Sequence, residues 1–484
     1  MRSSPRPSLA ALAACLVIAG VSQARDLNRQ NYLLGELPSG MGGAAVSLSG
    51  DPIAIFYNPA GLAGMTRQGL SLSASAYQAR WEDYSGVLDL TAMRADMESQ
   101  TFATFPDSVV YSLPVDSNEG QDGLHHVLAL ALLIPDYDKL DAKLDAGFRG
   151  GLDGTGFDLK GSYFLEELTY WAGPAYALSI GGFLRVGLSL FGLVTTSTAR
   201  SNTGLKYRAT VDDPGNPEVS FYSTQTYERT ALGVTALLQL GLQAQVWRGL
   251  ELGLTVRSGT LGSIYTEGKD LMFSSLTVED ADGNPYPGTR AYVDRVETDE
   301  GELAYRLPWM LALGVSYTEP GRYRLALDGT YHFPLGRWRY YDGPLVFPED
   351  PSGQPIRDVN RALYPVEWRQ LAGAFNVNAG AEVTLVEGWL LRLGAFTNFS
   401  VVDQDFYAER RLERQALFLP RLTSFGVSLG GGMVGERTTT SVGVVYVYGL
   451  GESFSMDELF GEPVQRSGVV AHTLTVVVSG SAKL

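Results

Sequence analysis

From Leu232 to Val246 the chain alternates, and no other stretch constrains its fold as tightly. Leu232, Val234, Ala236, Leu238, Leu240, Leu242, Ala244 and Val246 form one face, and Gly233, Thr235, Gln239, Gly241, Gln243 and Gln245 the other, with Leu237 the exception. Side chains of an extended strand point to opposite faces with a period of two, so this is a strand with one apolar face. Phe375, Val377, Ala379, Ala381, Val383 and Leu385 repeat the design against Asn376, Asn378, Gly380, Glu382 and Thr384; Leu325 and Leu327 stand against Arg324, Ala326 and Asp328. In a soluble sandwich such a face meets a second sheet, and in a membrane barrel it meets lipid.

The spacing of the strands decides between the two. Fourteen candidates lie near 67–80, 105–114, 124–135, 163–179, 182–198, 224–246, 249–268, 302–317, 322–334, 367–385, 388–402, 418–432, 437–450 and 468–481. The gaps between them alternate long and short. Short gaps hold turn residues (Gly181, Arg248, Glu319-Pro320-Gly321, Val386-Glu387), and long ones fall near 81–104, 136–162, 199–223, 269–301, 335–366, 403–417 and 451–467. Single-chain bacterial barrels have an even strand count, short periplasmic turns and longer extracellular loops. The expected fold is therefore all-β: a 14-stranded antiparallel transmembrane β-barrel, with every long gap outside the cell. Trp247, Trp309, Tyr317, Tyr331, Trp389, Tyr446 and Tyr448 sit at strand ends, as interfacial girdles do. The chain lacks the terminal aromatic residue with which many such barrels finish, ending Ser479-Gly480-Ser481-Ala482-Lys483-Leu484.

Export fits this reading. Arg2 and Arg6, an apolar run from Leu9 to Val21 and then Ser22-Gln23-Ala24 read as a signal peptide over 1–24, with a run too short to span as a helix. Leu12-Ala13-Ala14-Cys15 also fits a lipoprotein box, but the apolar run continues past it; cleavage after Ala24 removes the chain's only cysteine, leaving no thiol chemistry. The chain has 56 Gly, 25 Tyr and 20 Phe at near-zero mean hydropathy, a balance suited to a barrel rather than to helical spans. A formal charge of −16 excludes nucleic acid as a natural partner.

One segment is too irregular for a membrane strand. Residues 25–66 contain Pro38-Ser39-Gly40-Met41-Gly42-Gly43-Ala44-Ala45-Val46 and Asp51-Pro52-Ile53-Ala54-Ile55-Phe56-Tyr57-Asn58-Pro59-Ala60-Gly61-Leu62-Ala63-Gly64. Glycines allow tight folding in a confined space and Asn-Pro favours a turn. The combination Gly-Met-Gly-Gly-Ala with Tyr-Asn-Pro-Ala-Gly resembles the N-terminal hatch of the outer-membrane long-chain fatty-acid transporter family (FadL/TodX type). A related group with a similar start serves protein secretion. The resemblance implies a plug inside a barrel formed by 67–484, with Gly40, Met41, Gly42, Gly43, Asn58, Pro59, Ala60 and Gly61 as its signature. Asn58 is placed to bond its own backbone two residues on.

Other stretches bear on a ligand. In 136–162, Leu140, Leu144 and Phe148 recur every four residues, which gives one apolar face if this segment is helical. Trp338, Tyr340, Tyr341, Leu345, Val346 and Phe347 crowd another long gap; Phe454, Leu459 and Phe460 flank a capping-box pattern at Ser455–Glu458 in the last. Apolar side chains outside the membrane need a partner, which is each other, a ligand or another protein. The resemblance implies a groove that captures a hydrophobic ligand. Arg185, Arg257, Arg324 and Arg392 are inward by parity and suit a carboxylate, although pairing with luminal acids is the favoured role for any one of them, because a lone buried charge is costly.

No nucleophile–base pair, metal-ligand spacing or cofactor motif is present, and Asp280-Ala281-Asp282-Gly283-Asn284 reads as a solvated turn. The resemblance implies passive transport of hydrophobic molecules, long-chain fatty acids or aromatic hydrocarbons, by a barrel seated in outer-membrane lipid. A secretion-associated scaffold with a protein partner and a general polar pore remain the alternatives. Two local expectations test the register. A turn at 386–388 sets Glu382 opposite Arg392, and Pro174 interrupts the ladder of its strand.

Overall fold

A computed structural model describes residues 33–483 apart from 91–92, 116–122, 150–155, 211–217, 287–290, 351, 358–362, 364, 387, 404, 407–419 and 455–464. The signal segment, Cys15, the capping-box stretch, Leu459 and Phe460 lie outside the described residues. Fourteen antiparallel wall strands follow in order: β1 (Gly69–Leu90), β2 (Met93–Phe105 and Ser108–Pro114), β3 (Leu124–Arg149), β4 (Gly156–Ile180), β5 (Leu184–Thr210), β6 (Glu218–Trp247) and β7 (Leu250–Arg257 and Ser263–Asp280). The circuit continues with β8 (Tyr292–Leu303 and Met310–Glu319), β9 (Tyr323–His332 and Leu335–Asp342), β10 (Glu367–Leu371 and Ala374–Val386), β11 (Trp389–Phe399), β12 (Arg421–Val434), β13 (Thr438–Phe454) and β14 (Arg466–Lys483). Each strand pairs with its sequence neighbour, and β14 pairs back onto β1 from Gly69 opposite Lys483, closing the barrel despite the missing terminal aromatic. No helix among the described residues is long and apolar enough to cross a membrane.

The alternation read from the sequence is the inside–outside code of this wall. Leu240, Leu242, Leu325, Leu327, Phe375 and Val377 face outward, whereas Gln239, Gln243, Asp328, Asn376 and Asn378 are buried in the lumen. Leu237, out of place in an otherwise polar row, points inward and is fully buried in the luminal apolar cluster. The girdle residues Trp247 (76% exposed), Trp309 and Trp389 project outward near the ends of the apolar band. Positive-φ glycines close the short turns at Gly181, Gly249, Gly321 and Gly388.

The long gaps differ from expectation. β5 and β6 run 27 and 30 residues, far beyond the roughly 10 needed to cross a bilayer. Most of the presumed loops are strand: the hairpins continue past the apolar band, where outward residues turn charged and the hydrophobic alternation that reveals a strand fades. The stretch through Leu140 and Leu144, for which the four-residue spacing allowed a helix, is part of β3. Leu140, Ala142, Leu144 and Ala146 are buried, while Asp141, Lys143 and Asp145 face out, which is a period of two. Residues four apart share a face under either period, and that degeneracy produced the helical reading.

Both local expectations hold. Glu382 pairs with Arg392 across β10 and β11. Along β4, Ala172 pairs with Gly192 and Ala175 with Ser189, but the ladder to β5 lapses at Gly173 and Pro174 and resumes without a register shift. The β3–β4 ladder has its own irregularity between Leu133 and Asp136, around Pro135.

Candidate functional site

The described hatch, residues 33–66, is a chain of short turns packed against the luminal wall. It contains α1 (Glu36–Gly40), α2 (Ala54–Tyr57) and a 3-10 turn at Pro59–Gly64. Asn58, fully buried, initiates that turn by accepting from the Ala60 amide at 3.1 Å, the bond expected of it. Its amide nitrogen donates to the carbonyls of Val46 (2.7 Å) and of Leu242 in β6 (3.1 Å), so one side chain ties two hatch turns to the wall.

Glycines on both partners permit this contact. A Cβ at Gly394 of β11 would lie 2.0 Å from the Gly42 nitrogen, and one at Gly241 of β6 would lie 2.0 Å from Asn58 Oδ1. Cβ atoms at Gly187 and Gly253 would meet the backbones of Pro59 and Val46 at 2.3 and 2.2 Å. Bare backbone is therefore required where hatch and wall touch. Gly42 and Gly43 both have positive φ, and this turn is clasped by the Asn378 amide on the Gly42 carbonyl (2.6 Å) and the Ser428 hydroxyl under the Gly42 nitrogen (2.9 Å).

Charge fixes the same seam. Asp328 Oδ2 accepts from the amides of Ala45 (2.5 Å) and Val46 (2.8 Å). Arg392 donates to Glu382 (2.7 Å) and to Glu36 of α1 (3.3 Å). Burial pushes the Glu36 carboxyl above its ordinary pKa, and the Arg392 guanidinium works against that shift.

Three of the four nominated arginines are thus paired: Arg392, Arg185 with Glu251 (3.2 Å) and Arg324 with Glu382 (3.8 Å). Arg257 differs. It donates to Gln239 (2.8 Å) and to the Phe56 carbonyl (3.0 Å) and lies over the rings of Phe56 and Trp171, with no carboxylate partner among the described residues. It borders a cavity of about 100 Å³ between hatch and wall, lined also by Tyr57, Leu307 and Met310, with Pro135 and Trp171 at the interrupted ladders of β3 and β4.

The other nominated residues take different places. Trp338, Tyr340 and Phe454 join the luminal apolar cluster containing Ile53, Ile55 and Leu62 of the hatch. Leu140 and Leu144 belong to a second cluster, within the extended hairpins. Phe347 is half-buried, and the side chain of Phe148 lies outside the described residues. Among the described residues these side chains do not gather into one groove, and none of them lines the cavity. Sequence reasoning missed Trp171, Tyr305 and Met310 at the cavity. Their inward parity was available, but their meeting depends on interruptions in separate strands.

A closed fourteen-strand barrel whose lumen holds an N-terminal hatch defines a plugged channel fold. It is the fold of a Pseudomonas aeruginosa FadL homologue, which matches with a TM-score of 0.58 at 11% identity over 94% of this chain and 99% of that one. The P. putida toluene transporter TodX matches at 0.52 and 13% identity (94% and 99%), and the monoaromatic hydrocarbon channel CymD at 0.50 and 14% (93% and 97%). No family model and no curated protein matches the sequence.

Proposed function

We propose that this protein is a passive channel of the bacterial outer membrane that admits small hydrophobic molecules. The observation carrying this reading is the cavity at Arg257: a chamber at the junction of hatch and wall in which Phe56, Trp171, Leu307 and Met310 stand among Asp136, Asp328, His332 and Asn378, beside two lapses in the strand ladder. Small-molecule sites combine such apolar linings with a few placed polar groups. A dry cavity of about 150 Å³ holds benzene, so a chamber of about 100 Å³ suits a single ring far better than a long acyl chain. The names of TodX and CymD, a toluene transporter and a monoaromatic hydrocarbon channel, agree with that scale. A general polar pore fits less well, since hatch side chains and luminal apolar residues fill the interior.

In this mechanism the ligand enters from the extracellular side, rests against Phe56 and Trp171, and leaves sideways where Pro135 and Pro174 interrupt pairing; movement of the hatch opens the path. Arg257 favours a second cargo, a hydrophobic acid whose carboxylate accepts from the guanidinium N–H groups not already given to Gln239 and the Phe56 carbonyl. Labelled toluene and labelled oleate presented to proteoliposomes test both. Toluene entry faster than into protein-free vesicles is expected. Arg257→Met should spare toluene and slow oleate if acids are carried. Entry at the protein-free rate for both probes would sink the transport reading.

A further inference from the structure

The lumen is closed a second time, on the extracellular side of the cavity, and we propose that this closure is a gate held by a polar latch. From the short turns outward, β9 meets the hatch at Asp328, the cavity at Thr330 and His332, and then turns inward through Trp338, Tyr340 and Tyr341. β8 shows the same order: Gly314 at the hatch, Met310 and Leu307 at the cavity, then Ala304, whose amide donates to the Tyr340 carbonyl at 2.8 Å.

A bulge produces the turn inward. Pairing of β9 with β10 slips between Arg339 and Tyr341, so the consecutive Tyr340 and Tyr341, which a flat strand would point to opposite faces, are both fully buried. Bulges re-aim side chains in this way. The Tyr340 hydroxyl crosses the lumen to Glu167 of β4 (2.5 Å), while that of Tyr341 reaches along the wall, past β8, to Asp270 of β7 (2.5 Å), on which Tyr227 of β6 also donates. Arg369 of β10 donates to Glu367 (2.8 Å) and Glu167 (3.5 Å), and Arg229 of β6 to Glu367 (3.3 Å). Both guanidinium groups also lie over rings, Arg229 on Tyr341 and Arg369 on Tyr340.

β4 stands five strands from β9 and six from β10 in a ring of fourteen, so the bonds of Tyr340 and Arg369 to Glu167 bridge the interior. Apolar packing of similar volume would hold such a bridge at least as firmly as buried ion pairs. Pairs and hydroxyls have another property: water can replace each of them when the bridge parts. Hatch and latch thus enclose the cavity from two sides, and a ligand arriving from outside must part the latch first. This rests on the reading of the cavity as a transport site, but its test uses no cargo.

Thr330→Cys places a thiol in the cavity, and Ser316→Cys one behind the hatch beside Ser47. Each is labelled on intact cells with a membrane-impermeant maleimide, and its peptide is quantified by mass spectrometry. Tyr340→Phe with Tyr341→Phe keeps both rings and removes the cross-lumen bond to Glu167 together with the bond that anchors the bulge to Asp270. Labelling at 330 should rise about tenfold or more, from loss of two bonds to charged acceptors, while 316 stays at its original rate. An unchanged rate at 330, or an equal rise at both positions, overturns the gate. If the double variant fails to assemble, Tyr340→Phe alone is read by the same two rates, with the same overturning results.

Discussion

Arg392 and Glu36 meet at 3.3 Å, a wall guanidinium against a hatch carboxylate, with Glu382 on the other side of the same guanidinium at 2.7 Å. Removing the cation leaves the buried Glu36 carboxyl without its guanidinium and the half-buried Glu382 with only Arg324 at 3.8 Å, which costs about 3–5 kcal/mol for a buried pair broken on one side. Arg392→Met should release the hatch without unfolding the barrel. Limited proteolysis near residues 33–66 should accelerate while the heat-resistant barrel band persists on gels. Adding Glu36→Gln and Glu382→Gln should restore much of the protection, and failure to do so would remove charge as the cause.

The gating role of the hatch can be tested with one disulfide. A Cβ at Gly443 of β13 would stand 3.8 Å from the Ser39 Cβ, inside the range that disulfides span. Ser39→Cys with Gly443→Cys should oxidise readily and slow uptake of labelled toluene, with recovery on reduction. Uptake at the reduced rate, with the crosslink complete, leaves the hatch a static stopper.

Gly394→Val puts a side chain where only 2.0 Å separates a Cβ from the Gly42 nitrogen. The barrel should assemble, since the neighbouring ladder asks nothing of that side chain, but the hatch should be displaced. Single-channel conductance should rise well above that of the native protein; a native value would show that the hatch turn can shift to accommodate the side chain.

Asn58→Ala removes the two donated bonds and the one accepted bond by which the side chain ties two hatch turns to β6. The docked hatch should lose about 2–4 kcal/mol, given about 1 kcal/mol per bond plus the carbonyls left unpaired. Hydrogen exchange of the amides from 45 to 62 should quicken, while amides of β6 beyond Leu242 keep their protection.

The limits of the apolar band can be located by substitution. Leu240→Arg, on the outward face, should destabilise the folded barrel by about 2–4 kcal/mol in a bilayer. Thr226→Arg, outward on the same strand but within the extension, should have almost no effect. Equal costs at both positions would move the band.

The residues that disclosed most of this architecture are those that meet lipid. Where an apolar outer face alternates with a polar inner one, as from Leu232 to Val246, strand, face and turn could all be read, and even Leu237 was marked as unusual. The Glu382–Arg392 register followed from one turn. Above the band the outer face is wet, so Lys139, Asp141, Lys143 and Asp145 gave no sign of a strand by hydropathy alone, and Leu140 and Leu144 suggested a helix. The site was less legible. Arg257 was nominated by parity, but its lack of a carboxylate partner, and the approach of Phe56, Trp171 and Met310, depend on how the hatch lies in three dimensions. The bulge at Tyr340 reverses the parity on which sequence reading relies.

The length of β5 and β6 has a consequence for where a solute first meets the protein. Thirty residues at about 3.3 Å each, tilted by about 40°, rise roughly 75 Å, three times the height of an apolar band of about 25 Å. The barrel is a chimney whose rim stands far above the lipid. A sparingly soluble molecule diffusing in bulk water reaches that rim before it reaches the membrane surface. In the channel proposed above, such a molecule would then descend inside the wall, and its arrival would be set by the width of the rim.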